Sequence, residues 1–228
     1  MAMTAFPFWI RELEEHGFAI VTALLAPQTV DALIQNMADH PGHAMRHLVQ
    51  SVPVVKQIAC GPVVRALVEP VLGPDAFVAR SIFLDKTLEA NWKVTWHQDL
   101  TIAVKAKREL AGFTAWSVKE GVVHVQPPVS VLQRMLTVRL HLDDCDQSNG
   151  ALQVIPASHN AGRLDADAIA QWRKEKKPTT CAVARGGAVV MRPLLLHASS
   201  TAREAKHRRV VHLEFAADPL PVGLEWAF

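Results

Sequence analysis

Residues 135–142 read MLTVRLHL, an alternation of apolar and polar side chains. That period belongs to a strand with two unlike faces. Thr137, Arg139 and His141 point one way, and Val138, Leu140 and Leu142 point the other. Strand-like runs flank it on both sides, at 77–84 and then at 151–155, 187–191, 194–196 and 209–215. Turn signals separate them, including Asn149-Gly150 and Gly186-Gly187, and Asn149 is expected to serve its turn through a tolerance of positive φ. A helical insertion is expected at 165–175.

Upstream the texture is helical. Residues 7–16 (PFWIRELEEH) open on Pro7 and stop before Gly17, which predicts a helix. Phe18–Val21 read as a short strand. Pro27 opens a second helix, with Val30, Leu33, Ile34 and Met37 at helical spacing, and 54–71 give a further helical stretch broken near Gly61-Pro62. Many short strands after a helical start predict a mainly β fold with flanking helices, a double-sheet roll. The expectation is one domain over 1–228, helical over about 1–75 and rolled over about 76–216.

Composition narrows the function classes. Of 228 residues, 50% are hydrophobic and 20% charged, which suits a packed core rather than disorder. A net charge of +2 is no footprint of a nucleic-acid binder, and the run Arg173, Lys174, Lys176, Lys177 reads as a solvated helix end. The three cysteines, Cys60, Cys145 and Cys181, show no Cys-x-x-Cys spacing, so neither a disulfide framework nor a zinc ribbon is indicated. Neither a signal peptide nor an apolar run of membrane-spanning length is visible, and a soluble cytoplasmic protein is expected.

Three pieces carry chemistry. In His97-Gln98-Asp99, a strand would turn the imidazole and the carboxylate to the same side, although a lone His-x-Asp is as readily an exposed polar turn. His197 follows Leu194-Leu195-Leu196, read as the end of an apolar strand, where an unpartnered polar group is costly; alone it could be a satisfied core histidine. Together, two histidines and one carboxylate form the facial triad suited to non-haem iron(II), with open positions for a bidentate acid and O2. Arg208-Arg209 then head the last strand. A guanidinium there could grip a carboxylate bidentately or merely cap a sheet edge. Alternation puts Arg208 on the side of Val210 and His212, and Arg209 with Val211, Leu213 and Phe215.

These pieces resemble the phytanoyl-CoA dioxygenase family of iron(II)- and 2-oxoglutarate-dependent oxygenases. The resembling segments are Trp96-His97-Gln98-Asp99, then Asn149-Gly150-Ala151-Leu152 through Ile155-Pro156-Ala157-Ser158-His159, then Gly186-Gly187 through His197 to Arg208. Ala157 stands where the family motif has Gly. The resemblance implies a double-stranded β-helix of the jelly-roll, cupin-like kind. It also implies Fe(II), 2-oxoglutarate and O2 as cofactor and co-substrates. By position it makes His97, Asp99 and His197 the metal ligands, Arg208 the co-substrate anchor and Ser199 a second co-substrate contact. Asp99 is intact, whereas halogenating relatives lack this carboxylate, so hydroxylation of a small metabolite with release of succinate and CO2 is expected.

The resemblance also turns the polar face of 135–142 toward the pocket, which would bring Thr137 and Arg139 to the co-substrate. The alternative for this face is solvent. Arg139 and His141 depart from the family's usual residues there, and their charge suggests an anionic primary substrate. Lys93 and His124 could each reach into the cavity, but the favoured readings are a surface lysine and a strand-end histidine, and His159 reads as structural rather than a ligand. Two alternatives stay open: a cupin-type metal-dependent hydrolase or isomerase, and a non-catalytic small-molecule binder.

Overall fold

The computed structural model describes residues 7–38, 42–203, 207–221 and 223–228. The first residues of the expected domain, 1–6, lie outside this set. In chain order the helices are α1 (Phe8–His16), α2 (Pro27–Ala38), α3 (Leu48–Ser51), α4 (Pro53–Ala59), α5 (Pro62–Leu72), α6 (Val129–Gln133) and α7 (Ala166–Glu175). The strands are β1 (Phe18–Val21), β2 (Ala44–Arg46), β3 (Phe77–Lys86), β4 (Val94–His97), β5 (Ile102–Val104), β6 (Thr114–Lys119), β7 (Val122–Gln126), β8 (Leu136–His141), β9 (Leu152–Val154), β10 (Thr179–Thr180), β11 (Ala188–Met191), β12 (His197–Ser199) and β13 (Arg208–Ala216).

Local chemistry sets several boundaries as the sequence predicts. Gly17 ends α1 at φ +82°, and a Cβ there would lie 2.4 Å from His159 Nδ1. The His159 ring therefore lies close against the Gly17 backbone, where only glycine leaves it room. Pro62 opens α5 after the break at Gly61. Asp165 caps α7, its side chain accepting from the Ala168 N–H at 2.8 Å. The basic run at the end of α7 is exposed.

The strands pair antiparallel in a six-stranded sheet, β1-β11-β8-β13-β3-β2, and a four-stranded sheet, β10-β9-β12-β4, with a third layer β5-β7-β6. This is the double-stranded β-helix. One face of the large sheet carries Val138, Leu140, Val211, Leu213 and Phe215 into a core shared with Leu33, Val55, Val64 and Leu67 of the helices. Each such burial is worth about 1.5–3 kcal/mol, which fixes the register. The other face is polar, and it turns inward toward the small sheet. A second apolar cluster, including Ile102, Val125, Leu132 and Leu194, packs under β5 and β7.

Four expectations are corrected. The strand expected at 194–196 starts only at His197; Pro193 and a turn closed by Leu195 N–H to the Arg192 carbonyl at 3.0 Å precede it. The leucines are buried as the plug of that turn, so His197 opens its strand. β4 ends at His97, and Asp99 lies beyond it, its N–H donating to the Pro193 carbonyl at 2.9 Å. At residues 149–150 the positive φ falls on Gly150 (+76°), while the Asn149 side chain accepts from Asp146 N–H at 2.9 Å and donates to the Asp144 carbonyl at 2.7 Å. His124 is buried within β7 at 1% exposure and is not a strand-end residue.

Candidate active site

His97 and His197 are direct cross-strand partners of β4 and β12. Directly opposed residues emerge on one face, and the two imidazole centroids stand 4.2 Å apart. Each ring places Nδ1 2.8 Å from the carbonyl two residues back, Thr95 for His97 and Leu195 for His197. A carbonyl only accepts, so Nδ1 carries the hydrogen and Nε2 presents its lone pair. Both Nε2 atoms face Asp99, at 3.9 Å from Oδ1 for His97 and 3.7 Å from Oδ2 for His197.

Gln98 fixes the loop between strand and carboxylate. Its Nε2 donates to the carbonyls of Gly162 and Leu194, and its Oε1 accepts from the Leu164 N–H. The three ligand atoms of His97, Asp99 and His197 lie within 4.8 Å of one another. Asp99 Oδ2 is buried without a hydrogen-bond partner among the described residues, as expected of an oxygen reserved for a cation. The donor set fits iron(II). Burial resists the Asp99 charge, but His197, His212, Arg80 and His97 hold its carboxyl well below the usual range. Burial pushes His197 down to about 4, against the pull of Asp99.

Rungs of registered residues form the inward face of the large sheet. Arg46, Ile82, His212 and Arg139 make one, and Arg80, Glu214 and Thr137 the next. Leu84, Val210 and His141 form a third, and Lys86 faces Arg208 in a fourth. Hydrogen bonds tie the rungs together. Arg80 pairs with Glu214 through Nε (2.8 Å) and Nη2, and Nη2 also lies 4.0 Å from Asp99 Oδ1. His212 Nδ1 accepts from Arg139 Nη1 at 2.9 Å, since a guanidinium can only donate; its Nε2–H then donates to Glu214 Oε1 at 2.9 Å.

That assignment also decides between two candidate metal clusters. Asp99, His212 and Glu214 lie close enough together to hold an ion as well. There, however, the His212 Nε2 lone pair is replaced by a hydrogen, and Glu214 Oε1 is already held by Arg80. The His97, Asp99 and His197 cluster is the one with lone pairs facing inward.

A cavity of about 120 Å³ runs from this cluster between the two sheets. Its lining includes Arg80, Arg139, Ser199, Arg208 and His212. The His97 side chain is 38% exposed against 5% for His197, so the mouth opens on the His97 side. At the far end Arg208 is 2% exposed, and its Nη1 donates to the Gly150 carbonyl at 3.0 Å. Ser199 Oγ donates to the same carbonyl at 2.8 Å. Arg209 turns the other way and grips Asp143 with Nε at 2.8 Å and Nη2 at 2.6 Å.

The polar face of β8 is buried, with Thr137 and His141 at 0% and Arg139 at 6%. The solvent alternative is therefore excluded. Of the three, only Arg139 lines the cavity; Thr137 Oγ1 and both His141 nitrogens are buried without partners among the described residues. Burial, then Arg208, lowers Arg139 to about 10, and burial, then Arg139 and Arg208, lowers His141 to about 3. Lys93 is exposed. The sequence reasoning missed Arg80, Glu214, Gln98 and Lys86. The signal available was the alternation in 77–86, which puts Arg80, Ile82, Leu84 and Lys86 on one face.

A family model described as phytanoyl-CoA dioxygenase matches residues 13–210. The chain belongs to the phytanoyl-CoA dioxygenase family. The family uses iron(II), 2-oxoglutarate and O2. No curated protein matches the chain in sequence. Among solved structures, apo EctD from S. alaskensis superposes with a TM-score of 0.71 at 16% identity, covering 91% of this chain and 75% of that one. HygX from Streptomyces hygroscopicus, solved with nickel and 2-oxoglutarate bound, gives 0.67 at 12% identity over 91% and 85%. AviO1 from Streptomyces viridochromogenes Tue57 gives 0.65 at 20% identity over 93% and 96%. These likenesses agree with the double-stranded β-helix of the family. Among the described residues, no helix is long and apolar enough to cross a membrane.

Proposed function

We propose that this chain, acting as one domain, is a hydroxylase of a small organic metabolite that carries an anionic group, consuming 2-oxoglutarate and O2 and releasing succinate and CO2. The observation that carries the reading is the cavity itself. It has two inward-facing imidazole Nε2 atoms and an unpartnered carboxylate oxygen at one end, and a buried guanidinium at the other. His97, Asp99 and His197 would hold the iron. When bound, iron(II) supplies the family's oxidative chemistry, coupling loss of CO2 from the oxo acid to oxidation of a substrate C–H bond.

The chain's own residues bind, orient and exclude water. Arg208 and Ser199 take the distal carboxylate of 2-oxoglutarate, exchanging the Gly150 carbonyl for a charged acceptor, which makes a stronger bond. Arg139, lining the cavity and held by His212, faces the co-substrate, with Thr137 buried two residues before it on the same face of β8. Its positive charge favours an anionic primary substrate, which enters by the exposed edge of His97. Arg80, itself gripped by Glu214, faces Asp99 and favours its charged form, and the apolar residues Ile82, Leu84 and Leu152 keep the cavity dry.

The test is anaerobic addition of iron(II) and 2-oxoglutarate, followed by O2. A visible metal-to-ligand charge-transfer band and succinate release are expected, together with oxygen from O2 in the product of an accepted acid. Full metal occupancy without the band would favour the cupin-type hydrolase or isomerase. A band without succinate release under O2, for any small acid offered, would favour a binder. An oxidised product lacking O2-derived oxygen would replace hydroxylation with desaturation or ring closure.

A further inference from the structure

Lys86 is among the largest fully buried side chains of the described residues, at 0% exposure, and nothing in the proposed reaction has used it. It ends β3 directly opposite Arg208 at the start of β13. Two cations on adjacent strands of a buried face repel each other and lose their hydration, a cost that a fold retains only for compensation. Yet the hydrogen-bond partners of both are neutral. Lys86 Nζ donates to Ser199 Oγ at 2.8 Å and to the Ser200 carbonyl at 2.6 Å; Arg208 donates to the Gly150 carbonyl. Arg208 Nε is buried with no hydrogen-bond partner among the described residues.

These five groups form one compact cluster. Ser199 Oγ accepts from Lys86 and donates to the Gly150 carbonyl, so its direction is set by the ammonium. Residue 150 must be glycine here: a Cβ would stand 2.5 Å from the Ser200 carbonyl oxygen and 3.4 Å from Lys86 Nζ, at φ +76°. The Trp92 ring, which lines the cavity, lies over the ammonium with its centroid 5.9 Å away. Burial, with Arg208 beside it, lowers Lys86 to about 8, so it remains mostly charged at neutral pH.

We propose that Lys86 is a positioning residue of the co-substrate site, aiming the Ser199 hydroxyl and lending a second positive charge beside Arg208 to the distal carboxylate. The inference rests on the 2-oxoglutarate reading above and adds a group to it. A purely structural lysine, pinning the end of β12 to β3 through the Ser200 carbonyl, predicts something different. Its loss would lower stability and damage every function of the site together. A lysine kept for an incoming anion is a burden on the ligand-free fold, so replacing it with an apolar chain of similar length relieves that burden while binding suffers.

The experiment compares the wild type, Lys86→Met and Lys86→Arg. Anaerobic 2-oxoglutarate titration of the iron(II)-loaded proteins is followed by the charge-transfer band. Iron affinity is measured by chelator competition, and metal-free melting temperature by circular dichroism. For Lys86→Met the expected result is a 2-oxoglutarate Kd raised at least about tenfold, iron affinity within about threefold of wild type and a melting temperature that is unchanged or higher. Lys86→Arg should restore most of the co-substrate affinity. A Kd for Lys86→Met within about threefold of wild type would overturn the inference, as would joint loss of iron affinity, co-substrate affinity and melting temperature. Absence of the band in iron-loaded wild type would overturn the co-substrate reading and this inference with it, an outcome separable from failure of Lys86 alone.

Discussion

Acid should destabilise the fold through His141, by an amount that follows from its surroundings. The imidazole is fully buried on the inward face of β8, neither nitrogen has a partner among the described residues, and burial with Arg139 and Arg208 nearby lowers it to about 3. In the unfolded chain it titrates at the ordinary histidine value of 6.5. A histidine depressed in this way carries no protonation penalty well above pH 6.5. Between 6.5 and about 3 the unfolded chain binds a proton that the folded chain refuses, so stability falls with pH across that window. By pH 5 the loss is about 2 kcal/mol, and below pH 3 it approaches roughly 4–5 kcal/mol.

The perturbation is His141→Leu, which removes the titrating group and, since neither nitrogen is bonded, forfeits no hydrogen bond. Urea unfolding of the metal-free proteins near pH 8 and near pH 5 gives the comparison. Wild type should lose about 2 kcal/mol more than the variant between those two conditions, because acid-sensitive groups common to both, His197 among them, cancel in the difference. Equal losses in the two proteins would refute the reasoning.

Three further outcomes follow from the site and its supports. Arg80→Leu leaves Glu214 buried beside Asp99 without its cation and should cost about 3–5 kcal/mol in urea unfolding, with much of the loss regained in the Arg80→Leu/Glu214→Leu double variant. His97→Ala should abolish iron retention in chelator competition, whereas Glu214→Gln should weaken it by no more than about 10–100-fold, because only the first removes a ligand of the proposed metal centre. Ala157 holds φ +64° ahead of a 3-10 turn, so Ala157→Gly should raise stability by up to about 1 kcal/mol in a thermal melt.

The outer half of the design was legible in the sequence because it obeys local rules. The alternation at 135–142, the helix punctuated by Pro7 and Gly17, and the break at Gly61-Pro62 each correspond to an element or boundary of the fold. The side of Arg208 was legible as well, since alternation from Val210 and His212 decides it. The inward half was harder to read. A strand face written Arg80, Ile82, Leu84, Lys86, or Arg208, Val210, His212, Glu214, looks like one that meets solvent, because most half-polar strands do. Here closure of the roll turns it inside. The polar side chains then satisfy one another across strands far apart in sequence, as Arg80 does with Glu214, and no local pattern reports such pairing. The leucines before His197 misled for the opposite reason: burial in a plugged turn and burial in a strand look alike when the run is three residues long.

One consequence of the sheet order concerns the metal. β4 lies at the margin of the four-stranded sheet, joined to it through β12, and it contributes His97 from its last residue. A strand held along one side frays more readily than its inner neighbours. An ion shared by His97 and His197 would act as a rivet across that seam, so metal loading should slow amide hydrogen exchange along 94–99 far more than in β8 or β13, and chelation would loosen the doorway before the room behind it.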